Sequence, residues 1–254
     1  MSVKIQVQDG IGDVRLDRPD KKNAISLAMY AAMADAFERA AAEPDILVVT
    51  IAGSGALFTS GNDLHDFQQA QAGGQDMPVF RFLRAIASCP KVVIAGVAGA
   101  AVGIGTTMLL HCDLVLAAPD ALFSLPFVDL ALVPEAASSL LLPRLIGRQL
   151  AARHLILGDP FDAATAAGYG LVTEIVTDAE ALEERLRQVA LRITAKPPQA
   201  VQLTKRLLLA EGGSVAERMA EEGALFEQQL RSAEAAEAFA AFFEKRPPDF
   251  RKAR

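Results

Sequence analysis

Residues 91–113 read KVVIAGVAGAAVGIGTTMLLHCD and predict a strand, a glycine-rich turn and a helix in direct succession. The apolar β-branched run at 92–94 is long enough for a buried strand. Glycines at 96, 99, 103 and 105 permit sharp turns and close backbone approach, and the apolar residues after Gly103 predict a buried helix. A helix N-terminus reached in this way presents unpaired N–H groups and a positive dipole end. The stretch therefore predicts a site for an anion, or for an oxygen that becomes negative during a reaction.

The composition is that of a globular protein. The chain has 254 residues, 52% hydrophobic and 22% charged, which is enough for a large core. Its net charge of −6 argues against a nucleic-acid or membrane surface, and the N-terminus lacks the apolar segment of a signal peptide. Cys89, Cys112 and three scattered histidines show no metal-binding spacing. We expect a cytoplasmic protein with reduced thiols, no metal, and no nucleic-acid or membrane partner.

The predicted elements form a strand–helix core followed by helices. Strands are predicted at 3–8 and 11–16, which form a hairpin around Asp9-Gly10, and at 46–51, 92–94, 114–116, 121–124 and 171–176. Helices are predicted at 27–42, 78–88, 134–146, 148–157, 162–167, 178–195, 198–210, 214–231 and 233–244. This order predicts an α/β core over residues 1–195 and a helical region over 196–254.

Two glycine loops each follow a buried strand and lead into a helix. The first is FTSGNDL at 58–64 and the second is GAAVGIG at 99–105. Both loops are in a position to aim a backbone N–H at one point, the alternative being that both are ordinary tight turns. The chain contains no GxGxxG or GxxxxGK[ST] motif, which argues against dinucleotide and P-loop binding. It also lacks the GxSxG elbow of serine hydrolases.

Glu135 is the only ionisable residue between Asp129 and Arg144. One interpretation is an acid in the first turn of a helix that begins at Pro134, with its side chain in water. The other is a carboxylate partly desolvated by its apolar neighbours, with a raised pKa that suits a general base. The residues alone leave both interpretations open.

The chain resembles the crotonase superfamily, also called the enoyl-CoA hydratase/isomerase family, over nearly its whole length. The motifs that carry the resemblance are, in chain order, RPDKKNAIS, GALFTSGNDL, the segment from KVVIAGVAGAAVGIG to PRLIGR, AAGYGLVTEIV and FFEKRPPDF. The resemblance implies a ββα spiral core and a helical C-terminal region that assembles trimers or dimers of trimers. It also implies an acyl-CoA thioester as substrate, with no cofactor other than the coenzyme A of that substrate.

The same resemblance assigns site residues. It places the thioester carbonyl between the backbone N–H groups of Asn62 and Ile104, where the Ile104 side chain is expected to crowd the approach. Residues 66–82 are expected to shape the acyl pocket. Contacts with the CoA ester are implied for Lys22, Ala24, Ser60, Asp63, Leu64, Gly103, Phe127 and Lys245, although the two lysines are alternatively solvated surface residues. Asp63 is also expected to cap the following helix.

Departures from the family pattern decide the predicted reaction. Hydratases of the family use two glutamates at the positions of Thr107 and Phe127, so hydration by their mechanism is not expected here. Glu135 instead occupies the position of the single glutamate of Δ3,Δ2-enoyl-CoA isomerases, which implies a base that moves a proton from C2 to C4. Two alternatives stay open: another acyl-CoA reaction of the family, such as hydration, and a non-catalytic protein that binds CoA esters.

Overall fold

The computed structural model describes residues 2–69, 74 and 77–250, and a six-stranded sheet lies at its centre. The strand order is β1-β2-β3-β4-β6-β9. These strands are β1 Val3–Gln8, β2 Ile11–Leu16, β3 Val48–Gly53, β4 Val92–Val97, β6 Leu114–Ala117 and β9 Glu174–Ile175. The first two strands are antiparallel, and every later neighbour is parallel.

A second, three-stranded sheet lies beside the first. It consists of β5 Ala100–Val102, β7 Leu122–Ser124 and β8 Phe161–Asp162. The chain passes from β4 to β5 through Gly99, where φ is +53° and an added Cβ would lie 2.5 Å from the Ala56 carbonyl oxygen. Only glycine fits this close passage. Each pass from the large sheet to the small one is a turn of a spiral, which agrees with the predicted fold class.

Two helices cover one face of the large sheet, and a third covers the other. Helix α1, Leu27–Ala42, packs against α3, Pro78–Ala87, through the rings of Tyr30, Phe37 and Phe82. On the opposite face, α8, Ala179–Thr194, buries Leu182 and Leu186 against the sheet. The inner strands β3 and β4 are therefore buried on both faces, whereas β1 is exposed beyond Val3.

The remaining helices flank the small sheet and form the C-terminal part of the chain. They are α2 Leu64–Gln69, α4 Ile104–Thr107, α5 Ser138–Ile146, α6 Arg148–Ile156, α7 Ala163–Tyr169, α9 Pro198–Leu209, α10 Val215–Leu230 and α11 Ala233–Glu244. The buried Lys205 of α9 donates to the Lys91 carbonyl at 2.7 Å and to Asp113 at 2.6 Å, which ties these helices to the core. Within residues 2–69, 74 and 77–250, no helix is long and apolar enough to cross a membrane.

The structure corrects several predicted boundaries. The helix expected at 134–146 begins at Ser138, because Ala136 and Ala137 adopt left-handed φ angles of 54° and 55° that a helix cannot contain. The strand expected at 46–51 lies at 48–53, and the last strand shortens to two residues. The division of the chain at residue 195 stays a prediction.

Candidate active site

A parallel pairing brings the two glycine loops together. The Thr59 N–H donates to the Ala100 carbonyl at 3.0 Å, and the Val102 N–H donates to the Thr59 carbonyl at 3.1 Å. These bonds set Thr59 opposite Ala101 in a parallel bridge. Beyond this bridge the two loops stay close, since a Cβ added at Gly61 would lie 3.0 Å from the Val102 carbonyl oxygen. Asn62 and Ile104 each follow within two residues of this contact.

The backbone N–H of Asn62 is directed away from its neighbouring segment. Ile25 donates to the Gly61 carbonyl at 2.8 Å and accepts from the Asp63 N–H at 2.9 Å. A parallel bridge of this kind uses the groups on either side of Asn62, so the N–H of Asn62 points to the opposite side. Within the described residues, this N–H has no acceptor. It is therefore free to donate to a ligand.

The N–H of Ile104 is the second free donor. Ile104 is the first residue of α4, and the N–H groups of Thr106 and Thr107 already bond to the Gly103 carbonyl at 2.9 and 3.0 Å. No acceptor for the Ile104 N–H occurs in the part of the chain that the structure describes. Ile104 is 1% exposed and packs in the main core, and the crowding that its side chain is expected to cause in front of the donor stays a prediction.

Glu135 is held close to the second donor. The Thr107 hydroxyl donates to Glu135 Oε1 at 2.8 Å, and Thr107 lies on the same short helix as Ile104. The Glu135 carbonyl accepts the N–H of Ser138 at 2.9 Å and its hydroxyl at 2.6 Å. His111 Nε2 contacts the Ala136 carbonyl at 2.8 Å. Glu135 precedes the helix that begins at Ser138, and its carboxylate is part-buried and bonded to Thr107, so the interpretation of Glu135 as a solvated first-turn acid is wrong.

The surroundings of Glu135 change its acidity. Burial raises the pKa of the Glu135 carboxyl, while the hydrogen bond from Thr107 acts in the opposite direction. Burial dominates, and the pKa lies above the ordinary value of a glutamate. A carboxylate with a raised pKa accepts a proton more readily near neutral pH, which is the property of a general base.

Most of the residues assigned to the CoA ester lie around the first loop. The exposed Lys22 accepts the Ser60 N–H at its carbonyl, at 3.0 Å. Arg18 links two more of these residues, because its guanidinium donates to the Ala24 carbonyl at 3.3 Å and to Asp63 at 2.7 Å.

The far end of this loop begins α2. Asp63 accepts the His65 N–H at 3.2 Å, which confirms its predicted role as a helix cap. Leu64 is exposed at the first position of α2, beside the Asn62 donor. The loop thus offers both backbone and side-chain groups to a ligand at the Asn62 donor.

Three assigned residues stand in different surroundings. Gly103 precedes Ile104 with φ of +57°, and an added Cβ would meet nothing within 4 Å, so its conformation rather than space requires glycine. Phe127 is 6% exposed in a cluster with Leu125 and Leu142, which leaves little of its ring for a substrate. Lys245 is exposed at the end of α11, and none of its hydrogen bonds among the described residues joins it to either loop. The acyl-pocket segment 66–82 falls partly outside the described residues.

Two site residues had no clear sequence signal. Asn23 is fully buried with φ of 51°, and its amide donates to the carbonyls of Ser54 and Leu57, at 2.9 Å each, which holds the turn that leads into the first loop. Asparagine tolerates a left-handed conformation, and that tendency is the only hint in RPDKKNAIS. Tyr30 donates its hydroxyl to Asn62 Oδ1 at 2.5 Å. Tyr30 and Asn62 are 32 residues apart, and no local pattern predicts their contact.

Two free amide donors beside a carboxylate with a raised pKa define a class of site. Such a site can stabilise negative charge on a carbonyl oxygen while a proton leaves the neighbouring carbon. The comparisons with known proteins agree with this class. The family model described as enoyl-CoA hydratase/isomerase matches residues 6–253.

Individual proteins of this family are similar to the chain over most of its length. The chain is 34% identical to a probable enoyl-CoA hydratase of Rhodobacter capsulatus, over 98% of this chain and 97% of that protein. It is 35% identical to human enoyl-CoA delta isomerase 2, over 79% of this chain and 52% of that longer protein. A solved structure of a putative enoyl-CoA hydratase/carnithine racemase from Magnetospirillum magneticum has a TM-score of 0.95 and 43% identity, with 98% of each chain covered.

The chain belongs to the enoyl-CoA hydratase/isomerase family and has the crotonase fold. It is an acyl-CoA-processing enzyme of that family, whose members act on acyl-CoA thioesters.

Proposed function

We propose that the protein is a Δ3,Δ2-enoyl-CoA isomerase that uses Glu135 as its base. The observation that carries this proposal is the hydrogen bond from Thr107 to Glu135 at 2.8 Å. It holds a carboxylate of raised pKa beside the helix start that supplies the Ile104 donor. Thr107 stands where the hydratases of the family have a glutamate, so the contact joins the single base to a neutral partner.

The reaction then needs two proton transfers. The Glu135 carboxylate removes a proton from C2, and the electron pair of that C–H bond moves toward the thioester oxygen, which becomes an enolate. The N–H groups of Asn62 and Ile104 donate to this oxygen. Protonated Glu135 next gives the proton to C4, the C3=C4 electrons form the new bond to hydrogen, and the enolate collapses to a C2=C3 double bond.

The backbone donors and the Glu135 base are expected to lower the activation free energy by comparable amounts. Loss of one donor to such an oxyanion typically costs about 2.7–4 kcal/mol. General base catalysis supplies roughly 10²–10⁴-fold, which corresponds to about 3–5.5 kcal/mol. The donors alone would bind and polarise a thioester without turning it over.

The test measures how fast the Glu135→Gln variant isomerises a 3-enoyl-CoA, with the absorbance of the conjugated 2-enoyl-CoA product as the readout. Glutamine has the shape of glutamate but cannot accept the proton, so isomerisation should be abolished while CoA-ester binding stays within a few-fold. Glu43→Gln is the matched control, because Glu43 is an exposed partner of Arg39. Wild-type turnover in the Glu135→Gln variant would refute the proposal. Binding without turnover in the wild type would indicate a non-catalytic CoA-ester protein.

Hydration is the second candidate, favoured by the name of the Rhodobacter capsulatus relative. Against it, Thr107 and Phe127 replace the two glutamates that hydratases of the family use. Supplying 2-enoyl-CoA in parallel and measuring 3-hydroxyacyl-CoA separates the two reactions. A faster rate of hydration than of isomerisation would favour this candidate.

We also propose assembly as a trimer or a dimer of trimers, in the cytoplasm and with no cofactor beyond the coenzyme A of the substrate. Large apolar side chains on the C-terminal helices support assembly, since Leu208, Phe242 and Phe243 are 78–81% exposed in the single chain. Sedimentation equilibrium of the full chain tests it, and a monomer at micromolar concentration would contradict it.

A further inference from the structure

Tyr30 contacts the residue that supplies the first donor. It is the fourth residue of α1, is 1% exposed, and donates its hydroxyl to Asn62 Oδ1 at 2.5 Å. We propose that Tyr30 is a positioning residue that fixes the Asn62 side chain and thereby orients the Asn62 N–H toward the thioester oxygen. This inference rests on the proposed oxyanion role of Asn62.

Asn62 is tied to the start of α1 in two independent ways. Ile25 pairs with the backbone on both sides of Asn62 at 2.8 and 2.9 Å, and Tyr30 binds its side chain. Ser26 caps α1 by accepting the Met29 N–H at 3.3 Å, so both attachment points lie on one rigid segment. The backbone pairing sets the side of the segment to which the Asn62 N–H points. The tyrosine hydrogen bond adds a second restraint, through the side chain of the same residue.

The Tyr30 ring is itself held in place. It packs against Phe82 with ring centroids 5.8 Å apart, and Phe82 packs against Phe37 at the same distance. These three side chains are almost fully buried between α1 and α3. A buried aromatic residue in such a cluster has few rotamers available, so its hydroxyl has a defined position.

The hydroxyl is a donor throughout the working pH range. Burial raises the pKa of Tyr30 well above its ordinary value, and the negative charge of Glu135 raises it further. Tyr30 therefore stays neutral and protonated wherever Glu135 acts as a base.

The chain offers a matched control, because it has two tyrosines. The hydroxyl of Tyr169, on α7, is 2.9 Å from His154 Nε2. Tyr30→Phe and Tyr169→Phe therefore each delete one oxygen and one tyrosine hydrogen bond, but only the first touches the proposed donor. A purely structural role for Tyr30 predicts that the two variants behave alike.

The experiment measures isomerisation of a 3-enoyl-CoA and the infrared carbonyl band of bound butyryl-CoA. For Tyr30→Phe we expect kcat to fall about 10-fold or more, because a small misplacement of a catalytic donor is costly. KM should change by less than about 3-fold, since the CoA contacts remain. The donor-induced shift of the carbonyl band to lower wavenumber should shrink in Tyr30→Phe and stay unchanged in Tyr169→Phe.

A double-mutant cycle distinguishes loss of this hydrogen bond from a general folding defect in Tyr30→Phe. Asn62→Ala removes the acceptor of the same hydrogen bond while keeping the backbone N–H. If the two side chains act through one bond, the double variant is no slower than the slower single variant. Additive losses of kcat, or equal carbonyl shifts in the two tyrosine variants, would overturn the inference. If the wild type lacks isomerase activity but the carbonyl shift still depends on Tyr30, the proposed reaction fails and the positioning role stands.

Discussion

Replacing Thr107 with valine should shift the pH dependence of catalysis. Valine has nearly the shape of threonine but lacks the hydroxyl that donates to Glu135 Oε1 at 2.8 Å. That hydrogen bond favours the charged form of Glu135 and opposes the effect of burial on its pKa. Without it, burial acts alone, and the pKa of Glu135 rises further above its ordinary value.

The size of the effect follows from the energy of the bond. A hydrogen bond to a charged group contributes about 1.5–3 kcal/mol, and a tenfold change in a proton equilibrium corresponds to about 1.4 kcal/mol. The acid limb of the kcat/KM profile should therefore move to higher pH by about 1–2 pH units. The direction is upward because the base must be deprotonated to act, and Thr107→Val makes deprotonation harder.

The assay is the kcat/KM profile for a 3-enoyl-CoA between about pH 5 and 9, a range that includes the pH at which a general base operates. Thr106→Val is the matched control, because the adjacent Thr106 hydroxyl donates to the carbonyls of Ala101 and Ser124 and not to Glu135. The control should leave the acid limb in place. An unchanged or downward-shifted limb in Thr107→Val would refute the reasoning, as would an equal shift in both variants.

Two further predictions concern stability. Because the folded-state pKa of Glu135 is raised, its contribution to stability is fully present below its unfolded pKa and is lost as the pH rises through the folded pKa. Glu135→Gln removes this loss, so the variant should gain Tm relative to the wild type at about pH 8 but not at about pH 4, and the opposite trend would contradict it. Ala137→Gly and Ala131→Gly should each raise the free energy of unfolding in urea by about 0.5–1 kcal/mol, since both alanines have φ of 55°. Only Ala137→Gly should also lower kcat, because it loosens the turn beside Glu135; destabilisation by either variant would count against the strain argument.

The parts of the fold with local signals were predictable from the sequence. The β1–β2 hairpin has its predicted bounds because Asp9 and Gly10 take the positive φ angles that the turn requires. Helix α1 also has its predicted bounds, since Ser26 caps its start. In both cases the deciding interaction spans only a few residues. The two proposed donor residues were assigned by the family resemblance, on glycine loops that follow predicted strands.

The arrangement around the base was not predictable in the same way. Alanine carries no preference for positive φ, so no residue in PEAASS predicts the left-handed pair that delays the start of the helix to Ser138. Contacts with Glu135 and Asn62 come from Thr107 and Tyr30, which are 28 and 32 residues away in the chain. Such contacts depend on the sheet register and on helix packing, which no local pattern encodes.

A neutral threonine beside Glu135, at the position where hydratases of the family have a second glutamate, suits a reaction that uses a single base. Two carboxylates at hydrogen-bonding distance cannot both ionise freely, so one would keep a proton and the pair would titrate as a unit. A hydroxyl at 2.8 Å instead leaves Glu135 as the member of the pair that gains and loses a proton. A carboxylate restrained in this way can take a proton from one carbon and return it to another on the same face, and that requirement separates isomerisation from hydration.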